Sequence, residues 1–251
     1  MAYTEYDQFF YNDRIEEFED ALQPDKTDMK EEYDKDKLYC PECHKARLRF
    51  TRRTSKHRAY LSTWQGDQHR LNCSYSFEPA SKHQTKEYYK NLSPAQITDK
   101  LEAAINAIRR REQRNMTDCD ENDLDRNPAI AQITKNNGEQ KTYRLLTKSI
   151  YNIKKVPKEA YDMPILFYGR VLLSVKEQEA KKGYKSPYYF LQIHNPLTRN
   201  MICSFYRGKH KDDINEDQVY LISVLAVISE DENSRPKKHL YPPNSLLYQT
   251  P

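Results

Sequence analysis

Cys40 and Cys43 are separated by two residues and His69 and Cys73 by three, with 25 residues between the pairs. Thiolates and imidazoles bind soft and borderline cations, and two close pairs supply the four ligands of a tetrahedral zinc ion. A Cys-x2-Cys turn can direct both sulfurs to one side of the ion, and a His-x3-Cys pair fits one helical turn or a tight loop. Four protein ligands leave no open coordination position, so the expected zinc is structural rather than catalytic. His44, His57 and His83 are near enough in sequence to replace His69. A lone histidine is more often a surface residue, so the expected set is Cys40, Cys43, His69 and Cys73. A redox role for Cys40 and Cys43 would call for a surrounding βαβ pattern, and none is present.

Over about 40 residues this spacing resembles zinc-ribbon and short zinc-finger modules. The segment between the pairs is strongly basic, with Lys45, Arg47, Arg49, Arg52, Arg53, Lys56 and Arg58, followed by Arg70. Cations on a rigid scaffold can neutralise phosphates, and Tyr60 and Trp64 can stack on bases. For Trp64, the single Trp of the chain, the expected place is the small core beside the metal. Further along, Arg170, Lys185, Tyr188, Tyr189 and Arg207 interleave bases with aromatics in strand-like segments, as in surfaces that hold single strands.

Most enzyme constellations are missing. With 5 Gly in the whole chain, Gly-rich phosphate loops are excluded, and no Walker, Gly-x-Ser-x-Gly or His-Glu-x-x-His pattern occurs. Residues 118–129 begin like a calcium loop, but Asp123 stands where Gly is required and Ala129 where the bidentate Glu belongs. One fragment survives: Glu179 and Lys181 after an apolar strand, with Asp162 upstream, could hold Mg²⁺ and orient water in a nuclease.

These groups need elements to hold them. Residues 46–51 and 59–63 alternate apolar and polar side chains, as short strands do. A helix is expected over about 94–114, with Ser93 as N-cap, Gln96 completing a capping box, and a stripe of Ile97, Leu101, Ala104, Ile105 and Ile108. Arg109, Arg110, Arg111 and Arg114 crowd its last turn, where cations complement the helix dipole. Residues 5–22 present Phe10, Ile15, Phe18 and Leu22 at helical spacing with acids opposite, which predicts an acidic amphipathic helix packed on the core; the rival reading is a helix that docks on a basic surface, within the chain or on a protein partner. A hairpin turn is expected at Asn137 and Gly138. Strands are expected at about 143–153, 165–176, 187–194, 201–206 and 218–229.

The expected fold class is α+β in two modules. Residues 1–37 form an acidic helix and linker, 38–117 a zinc-ribbon or finger-like module plus a following helix, and 118–142 a linker. Residues 143–233 form a mostly antiparallel β domain, an OB-like barrel or a sandwich, and 234–251 an extended tail. Charge follows the same divisions: residues 1–37 sum to −8, 38–117 to +9, 118–142 to −3 and 143–251 to +6. Basic modules suggest a polyanionic partner, with nucleic acid, DNA or RNA, the commonest. The five Cys are odd in number and do not read as a disulfide framework. Residues 1–7 lack the start of a signal peptide, and no run of about 18 apolar residues exists, so a cytoplasmic protein without a membrane span is expected. The function expected from these residues is non-enzymatic nucleic-acid binding, with zinc as cofactor. The rivals are a protein-interaction module using residues 5–22 and a metal-dependent nuclease.

Overall fold

Asn12 and Asp13 both adopt positive φ, 45° and 64°. Two consecutive left-handed residues make the tight turn whose twist matches a β-hairpin, and Asn and Asp tolerate that conformation best after Gly. The N-terminal segment is accordingly a hairpin of β1 (Gln8–Tyr11) and β2 (Arg14–Glu17), not the expected helix. A computed structural model describes residues 6–113, 127–134, 138–179, 187–232, 235–242 and 245–251. Contacts divide the chain after Glu78 into two compact units.

The first unit carries β1, β2, β3 (Leu48–Thr51) and β4 (Tyr60–Thr63). β3 and β4 pair antiparallel from Leu48 opposite Thr63 to Thr51 opposite Tyr60, where alternating side chains predict strands. Main-chain bonds continue from one hairpin toward the other. Phe10 and Tyr39 exchange N–H to carbonyl bonds at 2.9 and 3.0 Å, and the Leu48 N–H donates to the Leu38 carbonyl at 2.7 Å. The N-terminal segment is part of this unit's core, because Tyr6, Phe9, Phe18 and Met29 are each 0–2% exposed and pack with Leu38, Leu48 and Leu61. Four such side chains contribute on the order of 6–12 kcal/mol by burial, comparable with the whole stability of a small domain.

In the second unit, α1 (Lys82–Asn91) and α2 (Pro94–Gln113) open the chain. Both start with a capping box. Gln84 N–H donates to Ser81 Oγ and Ser81 N–H to Gln84 Oε1, and Ser93 and Gln96 repeat the exchange at 3.3 and 2.8 Å. All five residues of the expected stripe on α2 are buried. They face the large sheet rather than the Cys/His segment, so α2 belongs structurally to the second unit. Part of the expected 118–142 linker forms a hairpin, β5 (Ile130–Thr134) with β6 (Gln140–Arg144). Gly138 has φ +80° in its connection, and Asn137 lies outside the described residues.

The remaining strands are β7 (Thr147–Ser149), β8 (Ile165–Gln178), β9 (Tyr188–His194), β10 (Met201–Gly208), β11 (Val219–Glu230), β12 (Pro236–Leu240) and β13 (Leu246–Gln249). Four of them match expected strands. The expected 143–153 strand is instead the end of β6, β7, and a 3-10 turn over Ile150–Lys155. The seven strands form one sheet in the order β10-β9-β8-β11-β12, with β13 also on β11 and β7 parallel to β8. This is a half-barrel, not the expected five-stranded barrel or sandwich. The expected extended tail accounts for the difference, since β12 and β13 pair in turn with successive stretches of β11.

β11 is buried on both faces over nearly its whole length, as is β8 at Ile165–Phe167 and Val171–Leu173, which explains their apolar runs. Ile165, Phe167, Val171, Leu173, Ile222 and Val224 point into the main core. Leu166, Leu221 and Leu225, on the alternate positions, meet α1 and α2. No helix among the described residues is long and apolar enough to cross a membrane.

Two outcomes test this packing. A Cβ at Gly169 would stand 2.8 Å from Ile150 Cγ2, a fully buried branched side chain. Gly169→Ala should therefore destabilise the second unit by about 1–3 kcal/mol in urea unfolding. Deleting residues 1–37 removes Tyr6, Phe9, Phe18 and Met29. It should abolish cooperative unfolding of the first unit, read by the near-ultraviolet signal of Trp64, rather than release an independent helix.

Candidate metal centre and basic hairpin

The chain reverses twice to bring two sequence-distant pairs together. Cys40 and Cys43 flank a turn closed by the His44 N–H to the Cys40 carbonyl at 3.0 Å, with His44 at φ +53°. The Cys40 N–H donates to the Ala46 carbonyl at 2.8 Å, at the entry to β3. After β4, the chain delivers His69 and then Cys73, whose N–H donates to the Arg70 carbonyl at 3.0 Å. One ligand atom from each of Cys40, Cys43, His69 and Cys73 lies within 4.8 Å of the other three. The three sulfurs are buried and free of disulfides. Cys40 Sγ is 3.7 Å from Cys73 Sγ, and His69 Nδ1 is 3.5 Å from both Cys43 Sγ and Cys73 Sγ. These four residues can hold a metal ion, and they are the four that the spacing singles out. His44 is used otherwise, stacked on Phe10 at 3.8 Å between ring centroids.

Without a cation the cluster is electrostatically awkward. Burial pushes the Cys40 thiol well up, and hydrogen bonding with Cys40 and Cys43 pushes Cys73 up. Hydrogen bonds from Cys40 and Cys73 hold Cys43 far below the usual thiol range. A nearby cation favours the thiolate form of buried cysteines. By contrast, Cys203 lies in the core of the second unit, where burial pushes its thiol up to about 12, so it is not a reactive group.

The surroundings of the ligands were not legible in the sequence. With His69 presenting Nδ1 to the cluster, Nε2 lies 3.0 Å from Tyr6 Oη and 3.2 Å from Thr63 Oγ1, and these two oxygens are 2.7 Å apart. A metal on Nδ1 leaves the ring proton on Nε2, where these oxygens accept it and fix the ring. Glu42, between the first two cysteines, accepts from Ser74 N–H at 2.8 Å and from Ser74 Oγ at 2.5 Å, joining the two ligand pairs behind the sulfurs. Tyr6 also stacks on Tyr75 at 4.4 Å.

The basic residues of the first unit divide by partner. Arg47, Arg49, Thr51, Tyr60, Ser62 and Trp64 occupy the outward face of β3–β4, while Leu48 and Leu61 point into the core. Trp64 is 36% exposed and carries two guanidiniums over its ring, Arg47 at 5.9 Å and Arg49 at 5.7 Å. The expectation that Trp64 fills the small core is therefore corrected: strand alternation turns it outward. Arg47 is held by Asp67 through two side-chain bonds of 3.0 and 3.2 Å and a backbone bond of 2.9 Å. Those bonds keep Asp67 below the usual carboxylate range. Arg52 pairs with Asp28 at 2.7 Å. Lys45, Arg49, Arg53, Lys56 and Arg58 are exposed and make no ion pair among the described residues. Arg70 is half-buried.

In the second unit, Arg207 is the clearest departure. Its side chain is 8% exposed and grips Asp212, itself 1% exposed, at 2.9 and 3.1 Å. It is a buried structural cation, not a surface contact. Arg170 is exposed on β8, Tyr188 and Tyr189 are half-buried on β9, and Lys185 lies outside the described residues. Lys211 sits over the Tyr189 ring at 5.8 Å. The nuclease fragment is taken apart. Asp162 precedes β8 and Glu179 follows it, so the 14 residues of that strand, a span of about 46 Å, separate the two carboxylates. Lys181 lies outside the described residues, as do Asp118–Asp123 of the calcium-like run.

Comparison of the chain with known protein families, with curated proteins and with solved structures gives no match.

The oxygens behind His69 generate a direct expectation. Tyr6→Phe and Thr63→Val together leave Nε2–H without an acceptor, and should weaken metal binding about 10- to 100-fold in chelator competition with the fold retained.

Proposed function

We propose that the chain is a zinc-containing nucleic-acid-binding protein in which the metal is structural and the outward face of β3–β4 contacts the polyanion. Zinc suits the donor set, since three thiolates and one imidazole are its preferred structural ligands. Bonds of about 2.3 Å to sulfur and about 2.0–2.1 Å to nitrogen give tetrahedral edges of about 3.8 Å between sulfurs and about 3.6 Å from sulfur to nitrogen. The 3.7 and 3.5 Å separations of the cluster match those edges. When bound, the ion supplies a fixed charge that ionises the thiols and locks the loops on either side of β3–β4.

One observation carries the nucleic-acid proposal. A partly exposed Trp64 carries the guanidiniums of Arg49 and a doubly tethered Arg47 over its ring at one end of the hairpin, and the exposed cations Arg53, Lys56 and Arg58 lie in the loop between β3 and β4 at the other end. Trp64 can stack on a base while the loop cations neutralise phosphates farther along the same strand. Arg47 and Arg52 are less available, being neutralised by Asp67 and Asp28. The free set is therefore Lys45, Arg49, Arg53, Lys56 and Arg58. The protein-docking alternative loses the helix on which it rested, because residues 8–17 form a hairpin whose apolar side is spent on the core.

Measurements on the metal and on nucleic-acid binding check this proposal. Purified protein should contain one zinc per chain, and binding should release protons, so affinity should fall as pH is lowered. Cys43→Ser should unfold the first unit, since structural zinc contributes on the order of 10 kcal/mol. Changing Arg49, Arg53, Lys56 and Arg58 together to Gln should weaken nucleic-acid binding and flatten the slope of log affinity against log salt by about 2–4 units, if most of them touch phosphate. A preparation that binds neither single- nor double-stranded nucleic acid at low salt would sink the proposal.

A further inference from the structure

The half-barrel has one covered outer surface and one open one. Over β8 and β11, the outer positions Leu166, Leu221 and Leu225 lie under α1 and α2. Further along β8 and out to β9 and β10, the same face carries Lys176 and Tyr206, which are exposed, and Ser174, Phe190 and Gln192, which are half-buried. The register aligns this open part in rows. Lys176, Phe190 and Tyr206 are directly opposite one another across three strands, and Ser174, Gln192 and Ser204 form the next row.

Three aromatic rings meet on this face. Tyr188, Phe190 and Tyr206 have centroids 5.5–5.8 Å apart, inclined at 58–65°. None belongs to a core cluster, and Tyr206 is 60% exposed. Edge-to-face contact holds the rings in place without burying them. Cross-strand aromatic pairs do stabilise sheets. That role accounts for Phe190 in the middle of its row, and it leaves Tyr206, on the edge strand β10, 60% exposed. The polar groups beside the rings are neutral or cationic. Ser174 Oγ lies 2.9 Å from His194 Nε2 and 3.3 Å from Gln192 Oε1, and Lys176 is exposed in the row of Phe190 and Tyr206. The acids of these strands, such as Glu177, fall on the alternate positions, where Glu177 pairs with Lys211.

We propose that this open sheet face is a second, separate binding site for single-stranded nucleic acid. Bases stack on Tyr206 and Phe190, Lys176 meets the backbone phosphate, and Gln192 and Ser174 offer hydrogen bonds to base edges. A face with exposed rings, a cation and no carboxylate complements a strand whose bases are unpaired and whose backbone is anionic. A duplex hides its base faces and gains nothing from the rings, so the site distinguishes single from double strands. The site does not rest on the hairpin of the first unit, since every residue it uses belongs to the second.

The test uses the full-length zinc-loaded chain and a fluorescein-labelled oligouridine, followed by anisotropy. Tyr206→Ala should weaken binding about 5- to 100-fold, the range for loss of one stacked base, while Tyr206→Phe should restore it. Binding of a duplex of equal length should change less than twofold. Phe190→Ala should act in the same direction, and because Tyr206 is mostly exposed its variant stays informative even if Phe190→Ala fails to fold. A 5-iodouridine probe should crosslink to peptides containing Tyr188, Phe190 or Tyr206. Quenching of Trp64 reports the hairpin alone, so loss at one site is read separately from loss at the other. Unchanged oligouridine affinity in Tyr206→Ala, with crosslinks confined to residues 45–70, overturns the inference. So does binding of a neutral oligosaccharide that is lost in Tyr206→Ala while oligouridine binding is not, since the face would then be a carbohydrate platform.

Discussion

Three buried sulfurs and the imidazole nitrogen of a half-buried His69, confined within 4.8 Å, are the constraint from which the first unit follows. Burial pushes the Cys40 thiol up, and hydrogen bonding within the cluster pushes Cys73 up and Cys43 down. A divalent cation favours the thiolate form of all three and ties them together. Burial in one small core is the unit's other source of stability. Its strands are four residues each and its core is one cluster of side chains. Units of this size rarely bury enough apolar surface to fold without a staple.

The rest of the unit arranges itself around the ligands. Tyr6 reaches from the N-terminal segment to the back of His69, and Glu42 ties the first pair of ligands to Ser74 beside the second. These contacts explain why an acidic segment and a basic hairpin lie within one unit. Asp28 and Asp67 neutralise Arg52 and Arg47 locally, leaving the other cations to face solvent. Exposed pairs of this sort add little stability. Their effect is to choose which cations are available to a partner.

The second unit is governed by burial. β8 and β11 are apolar on alternate faces for different reasons, one side for the main core and the other for α2. Their pairing produces the central ladder, to which β9 and β10 add on one side and β12 and β13 on the other. The uncovered outer face on β9 and β10 is where side chains are released from packing duty. The aromatic trio stands there.

Local physics made some of this legible in the sequence. The Cys/His spacing, the Ser93 and Gln96 box, the stripe on α2 and the alternation of β3 and β4 depend on residues a few positions apart, and each was readable there. The Ser81 and Gln84 box carried the same signal for α1 but was not picked out. Other features depend on partners far along the chain. Residues 5–22 fit a helical stripe as well as a hairpin, and what decides is the pairing of Phe10 with Tyr39 and the burial of Tyr6 and Phe9 against the metal unit. The tail becomes β12 and β13 because β11 offers an edge that no local pattern announces. Arg207 is claimed by Asp212 and Arg52 by Asp28, whereas Arg49 is left free, and charge in a sequence says nothing of which ion finds a counter-ion in three dimensions. The sequence by itself determined the ligand set and the elements with their own period. Only the tertiary structure decided which face each side chain serves, because burial and pairing are properties of neighbours in space.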